Sequence, residues 1–187
     1  MPLSPASRVA LLDLARGALL ERLATDPARP TPPTDAELLQ PAGCFVSLHE
    51  RGSHRLRGCV GRIDSRQPLW EAVRHTAADV LNDPRFRDAP VTADDIPLLE
   101  IEVSVLSPPR QAATPLDFDP LRDGIYLVHE GKSGFFLPQV ARQTGWTRQE
   151  LLDRLCAEKL CLAADVWQKP EAKLMVFAVE VVGPEPV

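Results

Sequence analysis

Apolar positions along this chain switch repeatedly between a helical period and alternation. Leu11, Leu12, Ala15, Leu19 and Leu23 recur at helical spacing, behind a Ser4-Pro5 start that offers a capping hydroxyl and a proline at the first helical position. The pattern predicts a helix that ends before Asp26-Pro27. The proline-rich stretch from Asp26 to Pro41 predicts a loop with one turn at Glu37 to Gln40. Gly43 to Glu50 reads as a strand, Arg51-Gly52-Ser53 as a turn and His54 to Ile63 as the partner strand of a hairpin. Leu69, Val73, Ala77 and Val80 restore helical spacing over Pro68 to Leu81, until Asn82-Asp83-Pro84 breaks it.

The strongest alternation runs from Leu98 to Leu106. Leu99, Ile101, Val103 and Val105 share one face; Glu100, Glu102 and Ser104 share the other. After a second proline-rich connector, Gly124 to Glu130 and Phe135 to Leu137 predict another hairpin, with Gly131-Lys132-Ser133-Gly134 as its turn. Pro138 opens a short helix that Gly145 ends. Thr147 and Glu150 form a capping box for a helix running to Leu160. Lys173 to Val182, apolar on both faces, reads as a buried last strand. Each half of the chain thus runs hairpin, helix, lone strand. The turn segments Leu48–Ser53 and Val128–Ser133 look alike, through an internal duplication or a chance match.

Composition changes this picture little. The 187 residues suit one large domain or two small lobes, and 44% apolar with 25% charged residues is ordinary for a globular protein. The 19 prolines fall mostly in the connectors, which predicts stiff loops rather than disorder. A net charge of -5 argues against general nucleic-acid binding. The segment Met1-Pro2-Leu3-Ser4-Pro5 lacks the charged and apolar regions of a signal peptide, and no apolar run approaches a membrane span. A cytoplasmic location with free thiols at Cys44, Cys59, Cys156 and Cys161 is expected.

Candidate chemistry centres on Leu56-Arg57-Gly58-Cys59-Val60-Gly61. On a regular strand, Arg57, Cys59 and Gly61 share one face, so a guanidinium beside the thiol would favour the thiolate. Gly58 and Gly61 mark close approach of a ligand or of another backbone. Cys59 is therefore a candidate nucleophile, or a small packing residue at a bulge with Arg57 as an anion contact. Glu102 would hold Arg57 if the two faced each other; otherwise it belongs to a solvent-facing polar side. None of His49, His54, His75 and His129 is singled out as a base by position. Arg51, Arg55, Arg57, Arg62 and Arg66 surround the single acid Asp64, a local excess that would suit a small anionic ligand or a charge-protected edge. Asp83 and Arg85 are expected to pair across their loop, with Phe86 as an anchor.

Several patterns exclude functions. Gly131-Lys132-Ser133 would end a phosphate loop only with glycine where Tyr126 stands. Cys156 and Cys161 lack metal-ligand spacing, and no cysteine trio or dinucleotide fingerprint is present. No metal and no cofactor is expected.

Gly43-Cys44-Phe45-Val46-Ser47-Leu48 and Leu56-Arg57-Gly58-Cys59-Val60-Gly61 resemble the signature of the AMMECR family, also called AmmeMemoRadiSam system protein A. Asp83-Pro84-Arg85-Phe86, Glu102-Val103-Ser104-Val105-Leu106 and Leu137-Pro138-Gln139-Val140-Ala141 follow in the same order. Val60 stands where isoleucine is common. The resemblance covers residues 7–182 as a single domain, in one body or two interlocked lobes, with 183–187 as a tail. It implies an α+β fold of two related strand–helix repeats around a single barrel-like, largely antiparallel sheet. It also implies Memo-like and radical-SAM proteins as partners, and an activity that is unresolved in the family. The expected function is a binding module acting through the Arg57-Gly58-Cys59 face, with Gly61, Glu102 and Arg85 as further binding residues. The alternative is a thiol-dependent enzyme with Cys59 as nucleophile on a small anionic substrate.

Overall fold

A computed structural model of the chain describes residues 2–23, 32–63 and 66–187. The expected end of the first helix at Asp26-Pro27, the start of the following loop, and Asp64 lie outside the described residues. The chain forms two compact units: Met1–Leu106 with Glu180–Val187, and Ser107–Val179.

In the first unit, helix α1 (Pro5–Leu23) buries Leu11, Leu12, Ala15 and Leu19, the stripe expected from spacing. A turn follows at 36–39, and then strand β1 (Gly43–Glu50) and strand β2 (Leu56–Arg62). β1 pairs antiparallel with β2 on one side and with β3 (Leu99–Leu106) on the other. The strand order is β2-β1-β3, continuing to the last strand β7 (Lys173–Pro186), with β2 at the edge. Helix α2 (Leu69–Asp79) packs with α1 on the apolar face of this sheet; Cys44, Val46, Leu48, Leu99, Ile101 and Val103 meet Leu69, Val73 and Ala77 there. Each fully buried leucine in such a core contributes about 2 kcal/mol.

β2 begins two residues later than its alternation predicts. His54 adopts a left-handed φ of 53° and Gly52 one of 75°, so the residues from Arg51 to Arg55 form the turn. β3 follows its predicted alternation only as far as Val103: Ser104 is buried, and Val105 is half-buried. The expected polar face of β3 is therefore not uniformly wet.

In the second unit, β5 (Asp123–His129) pairs antiparallel with β6 (Lys132–Phe136) and with β7 (Lys173–Pro186); the short β4 (Arg110–Gln111) pairs with β7. Its hairpin turn is only Glu130-Gly131, both left-handed at φ 49° and 76°, the backbone that suits a two-residue hairpin. Lys132 and Ser133 belong to the strand instead of the turn. The sequence likeness of the two hairpin turns thus does not extend to their geometry. Helix α3 (Pro138–Thr144) ends at left-handed Gly145 as expected. Helix α4 (Arg148–Arg154) starts with the expected capping box, the Thr147 hydroxyl accepting from the Glu150 amide. It continues as a wider turn through Leu155–Leu160. Cys156 is buried in that unit's core, whereas Cys161 ends the helix in a left-handed, exposed position. β7 runs beyond the expected Val182 to Pro186.

The α+β class, the antiparallel pairing and the hairpin–helix–strand order of each unit match the sequence expectation. Among the described residues, no helix is long and apolar enough to cross a membrane.

Candidate functional site

Strand β2 explains the site's geometry. Leu48 pairs with Gly58 and His49 pairs with Leu56, so Arg57 is an extra residue in a bulge. The bulge breaks the regular alternation that would set Arg57 beside Cys59. The Arg57 guanidinium instead reaches Glu50 at 3.2 Å and Asp95 at 3.8 Å, donates to the Ala89 carbonyl at 3.4 Å, and is 13% exposed. Glu102 is not among its partners. Glu50 also accepts from Arg55. The hydrogen bonds of Arg55, outweighing the burial that opposes them and reinforced by Ser53 and Arg57, hold the Glu50 carboxyl down at about 2. Arg57 is thus a neutralised strut between the hairpin and the 93–98 turn.

The cation at Cys59 is Arg85. Cys59 is half-buried on the edge strand, and its N–H and C=O both point away from β1. An edge strand leaves such groups unpaired unless something covers them. Here the Cys59 N–H donates to Asp83 Oδ2 at 2.9 Å, and the Cys59 carbonyl accepts from Arg85 Nη2 at 2.8 Å. Asp83 also accepts from Arg85 Nη2 at 2.6 Å, Arg85 Nε at 3.0 Å and the Arg85 amide at 3.1 Å. Its side chain is 2% exposed, whereas that of Arg85 is 58% exposed. Burial pushes the Asp83 carboxyl up, but its bonds to Arg85 and to the Cys59 amide outweigh burial and leave it below the usual carboxylate value. Asp83 holds Arg85 above its usual value, and its Nη2 bond to the Cys59 carbonyl brings the guanidinium to that residue's backbone. Asp83 and Arg85 pair as expected; their grip on Cys59 was not legible. Asp83 before Pro84 is a visible helix-start signal, but its target lies 24 residues away.

The two glycines answer to neighbouring protein atoms. A Cβ on Gly58 would stand 3.0 Å from the Val80 carbonyl oxygen and 3.0 Å from its Cγ2, so Gly58 lets the end of α2 approach the strand. A Cβ on Gly61 would overlap the Cys44 carbonyl and the Phe45 ring, which covers it from the paired position. Phe177 covers Gly124 in the same way in the second unit.

On the face opposite the helices, Ser47 pairs with both Cys59 and Glu102. Glu102 is half-buried and two strands from Cys59, about 10 Å between backbones. Ser47, buried between them, was missed because a lone serine in a strand gives no signal. His49 lies 3.3 Å from the His54 carbonyl, His54 3.7 Å from Glu100, and His75 3.4 Å from Gln67. In the second unit, His129 is buried with Nε2 3.7 Å from Glu130. Among the described residues no histidine or carboxylate is hydrogen-bonded to the Cys59 thiol. Asp83 aims its oxygens at main-chain and guanidinium donors. Among the described residues, no group of three or more His, Cys, Asp or Glu is placed to hold a metal ion. The arrangement presents a fixed Cys59 peptide and an accessible guanidinium; among the described residues no base is assembled at the thiol.

The other arginines of the hairpin are exposed. Arg51 donates to the Leu99 carbonyl at 3.3 Å, and Arg62 lies 3.9 Å from Asp79.

Comparison with known proteins agrees along nearly the whole chain. Protein PH0010 of Pyrococcus horikoshii is 35% identical over 184 residues, covering 91% of this chain and 86% of that protein. Protein Ta0236 of Thermoplasma acidophilum is 32% identical, covering 91% and 84%. The crystal structure of the uncharacterized PH0010 superposes with a TM-score of 0.82 over 95% of this chain and 96% of that one, at 32% identity. The AMMECR1 family profile matches residues 12–182, and the chain belongs to the AMMECR1 family.

Proposed function

We propose that this chain is a cytoplasmic binding module that docks a protein partner on the β2 edge around Arg57-Gly58-Cys59, working with Memo-like and radical-SAM proteins. The observation that carries this reading is the clamp: Asp83 and Arg85 fix the Cys59 peptide from both sides while leaving the guanidinium 58% exposed. A rigid exposed Arg beside a small side chain is a good contact for a carboxylate on a partner, because its donor fork is already oriented. In this reading Arg57, braced by Glu50, together with Gly61 and Glu102 supplies further contacts to the partner.

Co-purification with a Memo-like protein tests the proposal. Cys59→Ser keeps the backbone bonds and the volume, so binding is expected to persist. Arg85→Gln removes the charge, and binding is expected to fall about tenfold or more. Binding that survives Arg85→Gln but is lost in Cys59→Ser would overturn the reading.

A thiol-dependent enzyme is the second reading, favoured by one observation: the exposed Arg85 guanidinium bonds the carbonyl of Cys59 itself, which brings an anion contact to the candidate nucleophile's own residue. Its small anionic substrate would then pair with the same guanidinium.

A further inference from the structure

Beside the clamp, a cleft of about 320 Å³ opens between β2 and the end of α2, lined by Val60, Gly61, Arg62, Thr76, Asp79 and Asn82. Gly61 stands two residues beyond Cys59, so its N–H and C=O also point to the free edge of the sheet. The clamp covers that edge at Cys59 but not at Gly61, whose amide has no hydrogen-bond partner outside β2 among the described residues. The edge therefore offers one donor and one acceptor. A long added strand would collide with Asp83 and Arg85; a single amide unit would not.

The charges in the cleft come in opposite signs. Arg62 and Asp79 are 3.9 Å apart, at the outer limit of an ion pair, with side chains 64% and 61% exposed. So loose and wet a pair contributes little to stability and exchanges readily for ligand charges. The Asn82 amide has no hydrogen-bond partner among the described residues.

We infer that this cleft binds a small zwitterion containing an amide, of dipeptide class. The ligand amide pairs with the Gly61 edge, its carboxylate meets Arg62, and its ammonium meets Asp79, with Asn82 free to bond either end. A free amino acid lacks the amide, and a longer peptide would run into the clamp. The volume lies at the lower end of small-ligand sites. The inference does not rest on the Cys59 docking face.

The test is a titration of the full chain with L-alanyl-L-alanine, followed by backbone amide NMR shifts. Saturable shifts at Gly61 and Asn82 are expected in the millimolar range. Asp79→Asn and Arg62→Gln should each weaken binding about fivefold or more, while the exposed control Arg122→Gln leaves it unchanged. Both variants alter exposed side chains, so the fold should survive them. N-acetylated and C-amidated alanyl-alanine should each bind more weakly than the zwitterion. Absence of shifts at these two amides up to about 20 mM, or equal binding of the blocked forms, would overturn the inference.

Discussion

Replacing Asp83 with alanine is expected to destabilise the chain by about 2–4 kcal/mol, because it leaves buried donors without their acceptor. The side chain accepts from the Cys59 amide and from three donors of Arg85 while almost wholly out of water. Removing it frees Arg85, which can return to solvent, so the cost falls short of that for a fully buried pair. The Cys59 amide cannot be rescued in this way. Hydrogen exchange at Cys59 should accelerate in Asp83→Ala even under conditions where the chain stays folded, and denaturant midpoints should fall with little change in slope. The effect is also pH-dependent. The folded Asp83 carboxyl lies below its ordinary value, so its stabilisation is present above about pH 4 and is lost as pH falls through the folded value. Wild type and Asp83→Asn should therefore converge in stability on acidification. A constant gap between them down to about pH 2 would contradict the assignment.

Gly61→Ala is expected to cost about 3 kcal/mol, by overpacking instead of by lost bonding. The added Cβ would meet the Cys44 carbonyl, which the β-ladder fixes, and the face of Phe45. The ring could tilt, but the carbonyl can move only with the strand. Gly17→Ala is the natural control, because a Cβ there meets nothing within 4 Å. Thermal unfolding of the two variants separates steric crowding from a general effect of losing glycine. A Gly61→Ala variant as stable as wild type would mean that β2 and Phe45 are not packed as described.

The local code of this chain was readable where local physics decides. Ser4-Pro5, Gly145 and the Thr147–Glu150 box mark helix ends through groups within a turn of one another. The alternation of Leu99, Ile101 and Val103 marks a core face because one residue step decides burial. The pattern misleads where a left-handed backbone or a distant group decides. His54 takes a left-handed turn conformation that its side chain does not announce. The bulge at Arg57 depends on register with β1, so the sequence pattern points its guanidinium at Cys59, whose carbonyl Arg85 in fact holds. Ser104 is buried opposite Phe45 on a face that its neighbours Glu100 and Glu102 made look polar. The residues that hold the Cys59 segment come from a different part of the chain, 24 and 26 residues away.

Asp83 and Arg85 hold the Cys59 peptide from both sides, and the proposed docking face needs no nucleophilic thiol there. The most direct measurement is the rate of iodoacetamide alkylation at each cysteine of the folded chain at neutral pH, read by peptide mass spectrometry. Cys161 is exposed, while Cys44 is buried and pushed up to about 11 by that burial, so the two set the fast and slow limits. Half-buried Cys59 is expected to react more slowly than Cys161, and Arg85→Gln is not expected to slow it further. Alkylation of Cys59 faster than Cys161, and slowed by Arg85→Gln, would contradict it and establish an activated thiol.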